Sequence, residues 1–152
     1  MTPGKIRIKT VAAKAEAIRA MIAAIETLPL ASEADFSADG RMVAAGESFL
    51  RRSLEALLDL GRHVLAKGFG KVIPDYAAVA NELGTQGLLS PESVAKLRLM
   101  ARYRNRMVHF YDEITTPELY AILTEKRGDL EEILAALQSW LAAHPELCDE
   151  EL

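Results

Sequence analysis

The side chains best suited to chemistry fall in one stretch, where Arg98, Arg102, Asn105, Arg106 and His109 are spaced so that a helix gathers them on its polar side. Arginines are planar donors that grip a phosphate through paired hydrogen bonds, and an imidazole exchanges a proton near neutral pH. Together these are the requirements of metal-free RNA cleavage. A base removes the ribose 2′-hydroxyl proton, that oxygen attacks the adjacent phosphorus, and cations stabilise the charge growing on the phosphoryl oxygens. The competing reading is plain: a run of arginines is also the ordinary make-up of a solvated helix face.

Arg104 does not belong to that stripe. On a wheel started at Val94, the residues Leu97, Met100, Ala101, Met107 and Val108 share an apolar sector roughly 140° wide, and Arg104 falls in its middle. An arginine cannot be discharged, so a half-buried one requires a carboxylate, a phosphate or another acceptor. A structural ion pair with Glu55 or Glu47 on the preceding long helix would satisfy it as well as a substrate would. In an unbroken α-helix Arg104 and His109 lie about 140° apart around the axis and about 7.5 Å along it. To act on one phosphate, either the helix loosens before Tyr111 or two copies of the helix meet across a twofold axis.

Other chemistries lack their residues. His63 falls on the polar rim of the long helix and His144 beside Pro145 at a helix end, so both are expected to be structural or exposed. No HExxH-type cluster, nucleophile elbow or phosphate loop is present, so no metal and no cofactor is expected. Cys148 has no second cysteine to pair with, which fits a reducing, cytoplasmic location. No apolar run approaches about 20 residues, so no membrane span is expected, and the charged N-terminus carries no signal-peptide core.

These groups must be held by helices. The chain has 152 residues, half of them hydrophobic and only 6% aromatic, a composition suited to one packed all-α domain over 1–152. Its net charge of −4 and pI near 5.4 lack the basic excess of a general nucleic-acid binder, so any RNA contact must be local. Four to six helices are expected. The first spans about 10–28, with Pro29 limiting it, and a loop over 32–40 leads to Asp39 as a cap. The longest runs over about 41–67, stopped by Gly68 and Gly70, and a short one begins near Pro74. Ser90-Pro91-Glu92 opens the motif helix, and Thr116-Pro117-Glu118 opens a last one reaching about Ala143, kinked or divided at Gly128.

The segment Arg104-Asn105-Arg106-Met107-Val108-His109-Phe110-Tyr111 resembles the Arg-x4-His-x-Tyr signature of the HepT-like family in the HEPN superfamily. The long helix, with Arg51-Arg52-Ser53-Leu54-Glu55-Ala56-Leu57-Leu58-Asp59, is similar to the family helix that carries an acid in an apolar run, and the likeness covers about 41–142. The resemblance implies an all-helical HEPN bundle forming a twofold homodimer and acting as a ribonuclease toxin on an RNA substrate. Its implied partner is a nucleotidyltransferase antitoxin of the MntA type, able to transfer AMP to the motif tyrosine. By the same resemblance Arg104 stabilises phosphoryl charge, His109 is general acid or base, and Tyr111 is both an active-site residue and the AMPylation target. Arg98, Arg102, Asn105 and Arg106 would then hold RNA phosphates, with Glu55 as a structural acid near the site. Two alternatives stay open: a non-catalytic HEPN module that binds a nucleotide or a nucleotidyltransferase, and a helical interaction protein whose motif is coincidental.

Overall fold

The fold is that of a computed structural model describing residues 4–109 and 112–149. Among these residues it is all-α, with α1 Ile8–Glu26, α2 Glu33–Ser37, α3 Gly40–Phe69, α4 Tyr76–Thr85, α5 Pro91–Val108, α6 Thr116–Glu125 and α7 Arg127–Ala143, then a 3-10 turn Pro145–Leu147. Seven helices exceed the expected four to six because the stretch expected as loop contains α2, which buries Phe36 completely; the last expected helix is divided, at Lys126 rather than at Gly128.

The long α3 is the axis against which all the other α-helices pack. Its leucines at 50, 54, 57, 58, 60 and 65, with Val64, are almost wholly buried, following the helical period that the sequence displays. Each such side chain contributes roughly 1.5–3 kcal/mol on leaving water. Asp39 caps the helix as expected, its carboxylate accepting from the Arg41 amide at 2.9 Å. Gly70, at φ 66°, ends it in the left-handed conformation. Gly68 is no stop: it lies within the helix, where a side chain would come within 2.8 Å of the buried Ile6.

Where α3 passes α1, α2 and α6, closeness again depends on a missing side chain. A Cβ at Gly46 would meet Leu123 at 2.9 Å, Phe36 at 3.1 Å and Leu28 at 3.3 Å, all three of them buried. Gly128 also sits in a helix yet has nothing within 4 Å of that position. The two therefore respond with opposite signs to the same change. Gly46→Ala lowers stability by about 1–3 kcal/mol through overpacking, whereas Gly128→Ala is neutral or gains up to about 1 kcal/mol from helix propensity. Thermal denaturation of the two variants checks this.

The chain ends are tied together. Ile6 donates to the Leu147 carbonyl at 2.8 Å and accepts from the Asp149 amide at 2.9 Å, an isolated bridge that fixes the start of the acidic tail. His63 accepts from the Arg7 amide at 3.1 Å, which requires an unprotonated nitrogen. Burial, then the charges of Lys67, Arg7 and Lys14, lower its pKa and keep it in that form. His144 stacks on Trp140 at 3.8 Å with Nδ1 2.8 Å from the Trp140 carbonyl, so both outlying histidines are engaged in packing.

Candidate functional site

Helix α5 opens as its residues dictate, with Ser90 accepting from the Ser93 amide at 3.2 Å and Pro91 in the first turn. Leu97, Met100 and Ala101 are buried, while Tyr103 and Met107 pack partly against the core. Arg104 lies in that same sector. Its side chain is 27% exposed, and its Nε sits 3.6 Å from Glu55 Oε1, so of the two acids considered, Glu55 and Glu47, it is Glu55 that pairs with it.

The grip on Arg104 is loose in a specific way. The Nε–Glu55 separation exceeds a hydrogen bond, and this buried nitrogen has no hydrogen-bond partner. Nη1 donates to Asn105 Oδ1 at 3.3 Å, and the guanidinium carbon lies 4.9 Å from the centre of the Tyr76 ring. The same ring is covered by Arg62 at 4.5 Å, and the Tyr76 hydroxyl donates to Asp59 at 2.8 Å. Burial, followed by that hydrogen bond, raises the Tyr76 pKa and keeps the phenol protonated. Glu55 also pairs with Arg51 at 3.4 Å. Arg104 is thus oriented by an acid and a ring, with hydrogen-bonding capacity left over. Sequence reasoning missed Tyr76 and Arg62, since nothing local marks them as neighbours of α5.

His109 departs from the helical geometry expected for it. Helix α5 ends at Val108, and His109 is its C-cap with extended angles, φ −111° and ψ 118°. The imidazole is therefore off the helical wheel, and the 140° separation does not apply to it. It is exposed and lines a cleft of about 230 Å³ with Glu47, Arg106, Met107, Glu113 and Ile114. Arg104 is not among the residues lining that cleft and makes its contacts with Glu55 and Tyr76 instead, so the two groups occupy separate settings within one chain. Tyr111 lies outside the described residues.

The polar stripe divides. Arg98 and Arg102 are exposed along α5, and Asn105 is half-buried beside Arg104. Arg106, expected among the phosphate contacts, is instead consumed by protein. Its Nη1 and Nη2 donate to the two Glu118 oxygens at 2.8 and 3.2 Å, Nη2 also reaches the Glu113 carbonyl at 3.2 Å, and Nε reaches Asp112 at 3.3 Å. That guanidinium holds Glu118 well below the usual carboxylate range, at about 2. The cap of α6 is Thr115, not Thr116, and it forms a reciprocal capping box with Glu118, the acid three positions on.

A larger cavity of about 500 Å³ lies away from this region, lined by Ile6, Val11, Leu141, Pro145 and Cys148 among others. Its lining is largely apolar, and burial raises the Cys148 pKa, so the thiol there stays protonated. Among the described residues no three His, Cys, Asp or Glu side chains gather as a metal ion would require, and no helix is long and apolar enough to cross a membrane.

The family model described as ribonuclease HepT-like matches residues 17–137, from α1 into α7 and through the whole Arg104-to-Tyr111 segment. The chain belongs to the HepT-like ribonuclease family. Among curated proteins, a tRNA nuclease HepT from Aphanizomenon flos-aquae (strain 2012/KM1/D3) is 30% identical over 79 residues, which span 51% of this chain and 53% of that relative. Among solved structures, the tri-AMPylated HEPN toxin of Shewanella oneidensis in complex with its MNT antitoxin superposes with a TM-score of 0.78 at 18% identity, covering 86% of this chain and 97% of that one. The cytosolic protein YutE of Bacillus subtilis, of unknown function, reaches 0.75 at 16% identity with 94% of each chain covered. The HepT-like match thus spans most of the chain, and the solved neighbours share its helical bundle.

Proposed function

We propose that this chain is the ribonuclease toxin of a cytoplasmic toxin–antitoxin pair, cutting RNA without a metal ion as a twofold homodimer. The observation that carries the reading is the end of α5. There the helix stops one residue before His109, putting the imidazole in an exposed cleft, while Arg104, five residues earlier in the chain, meets its acid Glu55 only at 3.6 Å. His109 takes the 2′-hydroxyl proton or returns one to the leaving 5′-oxygen. The 2′-oxygen bonds to phosphorus as the bond from phosphorus to the 5′-oxygen breaks, leaving a cyclic phosphate. Arg104 carries the charge that grows on the phosphoryl oxygens, and Arg98, Arg102 and Asn105 steer the backbone.

Because Arg104 and His109 face separate settings in one chain, the homodimer supplies what a single copy lacks, with two motif segments lining one groove. Pairing also gathers arginines locally in a chain whose net charge is −4. The partner is an MntA-type nucleotidyltransferase that silences the toxin by moving AMP from ATP to the Tyr111 hydroxyl with release of pyrophosphate. The Shewanella toxin, tri-AMPylated and bound to its antitoxin, supports that reading, and the Aphanizomenon tRNA nuclease makes tRNA the first substrate to try.

The test is direct. Purified protein incubated with tRNA in excess chelator is expected to produce fragments ending in cyclic phosphate. RNA left intact while a nucleotidyltransferase or nucleotide still binds would replace this reading with the non-catalytic module.

A further inference from the structure

We infer that Arg106 and Glu118 are positioning residues of the proposed nuclease site, a clamp that fixes the segment carrying His109 and Tyr111 against the start of α6. The inference rests on the nuclease reading above. It begins from what holds that segment. Among the described residues between Val108 and Thr116 none is helical, and the backbone hydrogen bonds from the His109 amide to Arg106 and from the Asp112 amide to His109 are both long at 3.3 Å. Such a segment would sample many conformations unless side chains closed it.

Arg106 closes it. It stands in the last turn of α5, three residues before His109, and spends four donor contacts on the far side of the segment: Asp112, the Glu113 carbonyl and both oxygens of Glu118. A guanidinium has five N–H groups, so little is left for a phosphate. Glu118 is equally committed, since its Oε1 also accepts from the Thr115 amide at 3.2 Å and the Thr115 hydroxyl at 3.1 Å. One carboxylate therefore caps α6 and receives the fork from α5. A cation at a helix C-terminus and an anion at a helix N-terminus are each favoured by the helix dipoles, so the pair joins the two ends in their preferred sense.

The clamp is also built to persist. The Glu118 carboxyl, lowered from 4.5 to about 2, contributes its share above pH 4.5 and loses it only as pH falls towards about 2. Across any pH at which RNA cleavage is measured, the pair stays charged. Reacting groups misplaced by about 1 Å can cost on the order of 100-fold in rate, so anchoring this segment is a matter of turnover rather than of substrate affinity.

The experiment compares Arg106→Lys, Glu118→Gln and the double variant with the wild-type chain, by steady-state cleavage of tRNA and by hydrogen exchange of the amides in 109–117. Each single variant is expected to lower kcat by about tenfold or more, to leave KM within about threefold, and to speed exchange in that segment. The double variant should be no worse than the poorer single one, because both break the same clamp. Glu118→Gln is the decisive arm. If Arg106 were a phosphate contact, freeing it from Glu118 would lower KM and keep kcat, and Arg106→Lys, which keeps the charge but loses the planar fork, would raise KM with kcat unchanged. That pattern, or exchange unchanged in both single variants, overturns the clamp. A wild-type chain that cuts no RNA overturns the nuclease reading and the positioning role with it, even where exchange still reveals the pair.

Discussion

Replacing His109 by Ala lowers RNA cleavage by roughly two to four orders of magnitude, the usual contribution of a positioned general acid or base. The variant should stay folded, with a melting temperature within a few degrees of the wild type. The structural reason is the position of the residue: His109 lies beyond the last turn of α5, is exposed, and is no part of the buried core that Leu97, Met100 and Ala101 join. What the variant removes is an imidazole from the cleft shared with Glu47, Arg106 and Glu113. Initial rates on tRNA in chelator, with circular dichroism and thermal melts on the same samples, check both halves. Cleavage that survives the substitution would move the acid–base role elsewhere and remove the main reason for placing the site at this helix end.

How much of this was legible before the fold was known depended on how local the signal was. The caps Asp39 and Ser90 and the stop at Gly70 were readable because cap and helix are neighbours in sequence, and the leucine period of α3 marked its buried face directly. Helix α2 left no such trace, since five residues burying one phenylalanine have no period to read. Arg104 was conspicuous as a charge in an apolar sector, and Glu55 followed as a partner from the long helix packed beside it. The engagement of Arg106 with Glu118 was not legible because that acid lies beyond the turn after α5, and only the return of α6 brings the two together. Tyr76 was invisible for a similar reason: its ring reaches Arg104 and Arg62 through the packing of α4 against α3 and α5. Its sequence neighbours announce none of this.

The contrast between those two arginines carries the second large effect. Arg106 is held by two short contacts to one carboxylate, whereas Arg104 meets its acid at 3.6 Å and keeps an unsatisfied Nε. An arginine kept only to stabilise the fold would be expected to make the tighter pair. Arg104→Ala is therefore expected to cost only about 1 kcal/mol of stability, the scale of a partly exposed ion pair. Glu55 is not stranded by the change, because Arg51 remains within 3.4 Å of it. The same substitution should lower cleavage by about 100- to 1,000-fold, the loss seen when one donor to a developing oxyanion is removed. Arg104→Lys keeps the charge but loses the planar fork, so most of the activity should still disappear while the melting temperature barely moves. Glu55→Gln separates orientation from charge, because Arg104 would keep the Tyr76 ring and its own charge but lose the carboxylate that sets its direction. A smaller fall in kcat with unchanged stability is expected there. If Arg104→Ala instead unfolds the protein while Arg104→Lys retains full cleavage, the guanidinium is structural and the phosphate-stabilising role passes to Arg98 or Arg102, the exposed arginines of the same helix.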